Sequence, residues 1–368
     1  MNEAFSKLHA DDSGNSFQLN SELFYNGIKL SFDSFSESEV HNALFSIKSN
    51  AVGYDGIHIK FIKLILHFIL PIMTHIFNLI ITTSTYPSNW KIGHIIPVAK
   101  KNSPTDPDDF RPISILSCLS KVFEKLISIQ ICKHLNDNKL LSRYQSGFQA
   151  GKSCNTAVLK IFEDIRPSYD RGDLTILVLI DFSKAFDCVN YKILLKKLYN
   201  YFGFSCQACA LLESYLTGRS QFVHLSDSTS NIKNTNSGVP QGSILGPILF
   251  SIFINDIVSC CESSSIHLYA DDAQIYLSRP PGLIEDLIFR LNEDLANILN
   301  WSEANNLSIN ILKTQAICLH NKSVLVRPQQ LKMINTDITF SDEVKNLGFI
   351  INSKLNRNFS FYLILFFF

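Results

Sequence analysis

Residues 263–277 read Ser-Ser-Ser-Ile-His-Leu-Tyr269-Ala270-Asp271-Asp272-Ala-Gln-Ile-Tyr-Leu, two short apolar runs on either side of adjacent aspartates. The pattern predicts strand, tight turn, strand, with two carboxylates at the tip. Neighbouring like charges repel, so each holds its proton more tightly unless a cation neutralises the pair. A divalent ion that prefers hard oxygen ligands is the natural partner. Asp-Asp is also ordinary turn chemistry, since Asp hydrogen-bonds its own backbone, and the pair alone favours neither account.

A second stretch tips the balance. Leu174-Thr-Ile-Leu-Val-Leu-Ile180 is an unbroken apolar or β-branched run that ends in Asp181, 271 − 181 = 90 residues before Asp271. Such a run predicts a buried strand, which aims its last side chain well. Two strand-borne carboxylate sites can hold two metal ions roughly 3.5–4 Å apart, the arrangement that clamps the attacking and leaving oxygens in polymerases and nucleases.

At 368 residues and 46% hydrophobic content the chain is long enough for two or three packed subdomains and is core-forming. Its 33 basic and 33 acidic residues cancel, which excludes coating nucleic acid by bulk charge and requires any nucleic-acid groove to be basic locally. The nine cysteines are an odd number scattered through apolar patterns with no signal peptide ahead of them, as expected of a reduced, intracellular protein of nucleus or cytoplasm. Cys206-Gln-Ala-Cys209 has no second pair at finger-like spacing, so a zinc site is not expected.

Residues 1–33 are polar and aperiodic, the pattern of a leader or linker remnant. Ser36-Glu-Ser-Glu39 predicts a capping box, with Val40, Ala43, Leu44 and Ile47 on one helical face. Leu64 to Ile81 is apolar enough for a membrane span, but His67, Pro71 and His75 interrupt it. A buried helix pair broken at Pro71 is the preferred expectation, with no membrane involved. Lys91 to Pro112 reads as strand and loop, and Ile115 to Leu135 as helix; Lys91, Lys100, Lys101, Arg111, Lys121 and Lys125 form the local positive patch. Gly147 to Ser153 imitates a phosphate loop, but three residues rather than four separate its glycines, and an NTPase of that class is rejected. After Asp181 a helix is expected to about Tyr201 and another over Ala208 to Leu216, then a strand over Ser220 to Leu225. The loop Ser237-Gly-Val-Pro-Gln241-Gly242-Ser-Ile-Leu-Gly-Pro247 feeds a helix over Ile248 to Ile257. Its glycines let backbone approach a ligand closely, and Gln241 can hydrogen-bond a substrate. A long helix to about Asn306 and a strand over Gln315 to Leu319 follow.

The ordered blocks Arg111-Pro-Ile-Ser114, Asp181-Phe-Ser-Lys-Ala-Phe186-Asp187, Gly238-Val-Pro-Gln-Gly-Ser-Ile-Leu-Gly-Pro247, Tyr269-Ala-Asp-Asp272, Asn310-x-x-Lys313-Thr314 and Leu347-Gly348 resemble the reverse transcriptase of non-LTR (LINE-type) retrotransposons, the jockey group most. The resemblance covers roughly residues 36–355. It implies an α+β right-hand polymerase with fingers, an antiparallel palm sheet and packed helices. The implied division is 34–171 fingers, 172–356 palm with interleaved fingers segments and the start of a primer grip, and 357–368 an anomalous hydrophobic tail where a thumb would follow. The implied activity is extension of a DNA primer along an RNA template with deoxynucleoside triphosphates. It would use two Mg²⁺ ions, with Mn²⁺ a substitute. Asp181, Asp271 and Asp272 would hold the metals, helped by the Phe182 carbonyl. Phe186 would stand under the sugar, while Gln241 and Gly242 would lie at the nucleotide and Tyr269 near the primer end. Arg111 and Lys121 would grip the triphosphate, and Lys313 would protonate the leaving pyrophosphate.

Departures from the family pattern fall at Gln149, where Arg is usual, at Cys154, where Thr is usual, and at Asn352, where Asp is common. Lys152 is placed to compensate for the missing Arg. With no endonuclease ahead and no thumb behind, a fragment of an element is expected. Two rival classes are an inactive nucleic-acid-binding remnant and an RNA-dependent RNA polymerase. The intact aspartates weigh against the first and the bulk of Phe186 against the second.

Overall fold

The computed structural model describes residues 25–225, 228–321, 331–333 and 336–355. The tail 357–368 and residues 1–24 of the 1–33 leader lie outside the described residues. In chain order, helices α1 (Glu37–Ser46), α2 (Ile59–Leu64) and α3 (Leu66–Thr83) precede strands β1 (Ile92–Ala99) and β2 (Phe110–Ile115). Helices α4 (Cys118–Asp137) and α5 (Cys154–Arg171) lead to β3 (Leu174–Ile180). Then come α6 (Tyr191–Asn200), α7 (Cys206–Leu216), β4 (Arg219–Leu225), β5 (Ser228–Thr229), β6 (Lys233–Thr235) and α8 (Leu245–Ile254). The chain goes on through β7 (Ser265–Tyr269), β8 (Asp272–Arg279), α9 (Ile284–Ala304), β9 (Gln315–Leu319), β10 (Leu331–Met333), β11 (Thr336–Phe340), β12 (Glu343–Asn346) and β13 (Phe349–Asn352). These elements fall into two compact units, one holding 25–140 and 186–253, the other 141–185 and 254–355.

In the first unit, β2-β1-β4-β5 form a sheet with β6 also on β4. Strand β1 pairs antiparallel with β2 and parallel with β4. Pro97 faces Pro112 across the β1–β2 pair, beyond the stretch of β1 that meets β4. Neither proline therefore removes a ladder bond that a second neighbour needs. Helix α1 starts as its sequence dictates: the Ser36 hydroxyl accepts from Glu39 N at 3.3 Å and Glu39 Oε2 accepts from Ser36 N at 2.9 Å. That reciprocal pair satisfies two otherwise orphaned donors.

The expected break at Pro71 is corrected. The helices part at Ile65, and α3 runs on through Pro71. Packing outweighs the lost backbone bond, a penalty of about 3 kcal/mol. Phe77 and the buried rings of Tyr86, Trp90 and Phe123 sit 5.6–6.4 Å apart in edge or tilted contacts. By length and composition α3 could cross a membrane; a third of it is buried, on the side of Met73, Phe77, Ile80 and Ile81, while Phe68, Ile72 and Leu79 are exposed.

In the second unit the sheet order is β10-β11-β9-β3-β8-β7. It is antiparallel except where β9 meets β11. Strand β3 is central and buried over nearly its whole length, which is why its sequence runs apolar without alternation. On one face Leu177, Tyr276 and Ile317 pack with Ile161 and Ile165 of α5 and with Val344 and Ile351 of the β12–β13 hairpin. Helix α9 buries Leu287, Leu291, Leu295, Ile298 and Trp301.

Candidate functional site

The predicted acidic hairpin is present. Tyr269 pairs with Asp272, leaving Ala270 and Asp271 as a two-residue turn in which Ala270 has φ +58°. Strand β3 pairs with β8 up to Ile180 opposite Ala273. One residue further along each strand stand Asp181 and Asp272, so register brings the predicted strand-end acid beside the predicted turn. The loop after α9 closes on the same end: Asn310 N donates to the Asp181 carbonyl at 2.7 Å, Ser183 N to Ser308 O at 2.8 Å, and Phe182 bridges Ile309. That places Lys313, exposed, on a turn whose backbone is tied to Asp181, through the Lys313 N bond to Asn310 O at 3.1 Å. The Phe182 ring is buried edge-on against Trp301.

The Asp272 carboxyl is pushed up to about 6, by burial first and then by repulsion from Asp271 and Asp181. The residue keeps an exposed surface, so desolvation is the weaker cause physically and the repulsion is the one a cation would relieve. Among the described residues no three His, Cys, Asp or Glu side chains enclose an ion by themselves. The donor set nevertheless fits Mg²⁺, which is characteristically held by one or two carboxylates together with water and substrate phosphates rather than by an all-protein cage. Tyr269, half-buried, hydrogen-bonds Cys154, which with burial raises its phenol. The Cys154 thiol thus serves as hydrogen-bond partner where the family pattern has Thr. Lys152 is not an open cation: its ammonium donates to Gln145 O at 2.6 Å and burial lowers it.

In the first unit the 237–246 loop carries Gln241. Ser114 N donates to Gln241 O at 2.7 Å and Val239 N to Phe186 O at 2.8 Å. The Gln241 amide donates to Asp187 Oδ1 at 3.0 Å. Gly242 has φ +105°, and a Cβ there would lie 2.8 Å from Ser114 O, so no other residue fits. The Phe186 ring stacks on Phe250 at 4.5 Å and 18°. A polar cavity of about 50 Å³, lined by Pro112, Ser114, Asp187, Arg219 and Gln241, has room for a water or two rather than a nucleotide.

One expectation about charge and two about helix starts are corrected here. Arg111 is exposed on β2, but Lys121 is 6% exposed and burial lowers its ammonium, so it does not belong to a solvent-facing positive patch. The helix carrying it starts at Cys118, because Ile115 completes β2. Likewise the helix after Asp181 starts only at Tyr191, where Asn190 caps it. Glu124 was not singled out by its sequence context. It is wholly buried, and Oε2 accepts from Ile244 N at 2.8 Å and Leu245 N at 3.1 Å. It thereby caps α8 and ends the Gln241 loop. Burial raises its carboxyl against those bonds. A lone acid among Val122, Phe123, Leu126 and Ile127 was the available signal.

Residues 98–351, more than half the chain, match the family model described as reverse transcriptase (RNA-dependent DNA polymerase). The chain belongs to the reverse transcriptase family. A probable RNA-directed DNA polymerase from transposon X-element of Drosophila melanogaster is 29% identical over 87% of this chain and 35% of its own length. The RNA-directed DNA polymerase from mobile element jockey of the same organism is 26% identical over 87% of this chain and 37% of its own. These relatives, with a type-1 retrotransposable element R1 polyprotein of Bradysia coprophila, bear out the LINE-type resemblance. The chain spans about a third of the length of the curated relatives it matches. An apo telomerase from Candida tropicalis, truncated from its C-terminal domain, is similar at TM-score 0.48 and 15% identity over 72% of this chain and 54% of that one. Family membership and the mixed helix-and-sheet architecture agree with the right-hand polymerase fold.

Proposed function

We propose that this chain is the polymerase part of a LINE-type retrotransposon protein and extends a DNA 3′-OH along an RNA template with deoxynucleoside triphosphates. The observation that carries this is the register of Asp181 with Asp272 beside the Asp271 turn in a chain of the reverse transcriptase family. Asp181, Asp271 and Asp272, with the Phe182 carbonyl, would hold two Mg²⁺ ions, for which Mn²⁺ could substitute. When bound, the ions lower the charge cost of the attacking hydroxyl and the departing pyrophosphate.

The protein's own residues do the rest. Arg111 supplies charge-assisted hydrogen bonds to the triphosphate. Gln241, oriented by Asp187 and held close by Gly242, touches the nucleotide, and Phe186 on its Phe250 backing fills the space a 2′-hydroxyl would need. Tyr269 supports the primer end. Lys313 delivers a proton to the leaving group. All nine cysteines are free, which supports an intracellular site of action, in nucleus or cytoplasm.

Primer extension on a homopolymer RNA template with an annealed DNA primer tests the proposal. Mg²⁺-dependent incorporation that Asp181→Asn removes is the expected result. A folded wild-type protein that binds primer–template yet adds no nucleotide with Mg²⁺ or Mn²⁺ would favour the inactive remnant instead.

A further inference from the structure

Segment 144–146 lies along the outer edge of β7 as an unlabelled parallel neighbour. Leu268 N donates to Tyr144 O at 2.9 Å and Ser146 N to Leu268 O at 2.8 Å, with Gln145 bridging Leu268. This pairing sets the Gln145 side chain beside the turn. Gln145 is completely buried. Its Oε1 accepts from Ala270 N at 3.0 Å and from Gly147 N at 2.7 Å, and its Nε2 donates to Ala270 O at 3.4 Å. One carboxamide therefore brackets both backbone groups of Ala270, the residue immediately before Asp271.

Ala270 is the one position of this turn that needs outside support, because φ +58° is a conformation that a residue with a Cβ adopts at a cost. The approach is close enough to require glycine on the other side: a Cβ on Gly147 would stand 2.2 Å from Ala270 N. The bracket is itself anchored, since Lys152 Nζ donates to Gln145 O at 2.6 Å and Ser146 Oγ bonds His267 Nε2 at 3.0 Å. Glutamine is the side chain suited to this place. It accepts at one end and donates at the other while adding no charge beside Asp181, Asp271 and Asp272.

We propose that Gln145 is a positioning residue for the polymerase site: it fixes the strained Ala270 so that the Asp271 and Asp272 carboxylates stay where divalent ions can bind. The proposal rests on the polymerase reading above. It assigns a role to the block at 145–153 that a phosphate-loop comparison does not.

The test compares wild type, Gln145→Ala, Gln145→Met and Asp271→Asn as full-length proteins, with three readouts. Methionine keeps the volume and removes the hydrogen bonds, so a folded variant remains even where alanine fails. Amide hydrogen exchange over residues 266–274 should rise at least about tenfold in Gln145→Met, as expected when a buried N–H loses its acceptor. Mn²⁺ binding followed by electron paramagnetic resonance should weaken by about 10 to 100-fold, the cost of losing a supporting partner rather than a ligand. Primer–template affinity should change less than about twofold. A merely structural role would lower thermal stability and weaken Mn²⁺ binding and primer–template binding together. Unchanged exchange and unchanged Mn²⁺ affinity in a folded Gln145→Met overturn the proposal. If exchange rises but Asp271→Asn leaves Mn²⁺ binding as in wild type, the carboxylates are not the ion site, and both the metal assignment and the catalytic meaning of the bracket fall.

Discussion

The side-chain amide of Gln241 donates to Asp187 Oδ1 at 3.0 Å, which ties the glycine-rich loop to the residue directly after Phe186. Two candidate nucleotide contacts, the amide and the ring, are thus set by one hydrogen bond and by the neighbouring Val239 N to Phe186 O bond at 2.8 Å.

It follows that Asp187→Ala should loosen Gln241 more than it harms the fold. A charge-assisted hydrogen bond is worth about 1.5–3 kcal/mol, so KM for deoxynucleotides should rise about tenfold or more while the extension rate at saturation falls less. Asp187→Asn keeps an acceptor and should recover most of the loss. Steady-state single-nucleotide kinetics decide it; equal damage by Ala and Asn would mean that the carboxylate acts by charge.

Asp271→Asn should abolish Mg²⁺-dependent extension while leaving the fold intact. Loss of a supporting partner costs about 10 to 100-fold, and a direct ligand should cost more. Near wild-type extension by a folded Asp271→Asn protein would remove the two-ion assignment.

Phe186 stacks on Phe250 at 4.5 Å, so its ring has a fixed backing rather than a free rotor. Phe186→Val should admit ribonucleotides by removing bulk, with a smaller effect on deoxynucleotides. The ratio of kcat/KM for the two sugars measures this, and an unchanged ratio places the sugar gate elsewhere.

Glu124→Ala removes the acceptor of two buried backbone N–H groups at the start of α8. Each orphaned donor costs about 1–3 kcal/mol, and the truncation leaves a cavity as well. A loss of about 3–5 kcal/mol is expected in denaturant unfolding. A loss below about 1 kcal/mol would mean the loop closes without its cap.

The acidic end of the second unit was legible because its signals are local. An apolar run ending in an acid marks β3, and period-2 alternation around Asp271 marks the hairpin. Pairing register, which no local pattern states, is what sets Asp181 beside Asp272. The helix through Pro71 was not legible, since rings brought in from Trp90 and Phe123 hold it. Nor was the burial of Lys121 and Glu124, because the partners of Glu124 lie 120 and 121 residues away. Gln145 hid for the same reason: its partner Ala270 is 125 residues on.

Asp272 sets the pH behaviour. Its folded value of about 6 lies above the ordinary 3.8, so the folded state binds the proton more tightly than the unfolded chain. The group therefore opposes folding of the metal-free protein above about pH 6, and that opposition fades as pH falls from about 6 to about 4. Asp272→Asn should raise the Tm of metal-free protein at pH 7.5 by a degree or two, a small figure because the side chain keeps solvent contact. The gain should shrink to nothing near pH 4. For catalysis the sign reverses: the proton must leave before an ion can bind. The Mg²⁺ concentration for half-maximal extension should then climb up to about tenfold per unit below pH 6, and added Mg²⁺ should restore the rate. Thermal melts with chelator and Mg²⁺ titrations at pH 5, 6 and 7.5 measure both. A half-maximal Mg²⁺ concentration independent of pH would show that Asp272 is not the ion's competitor for that proton.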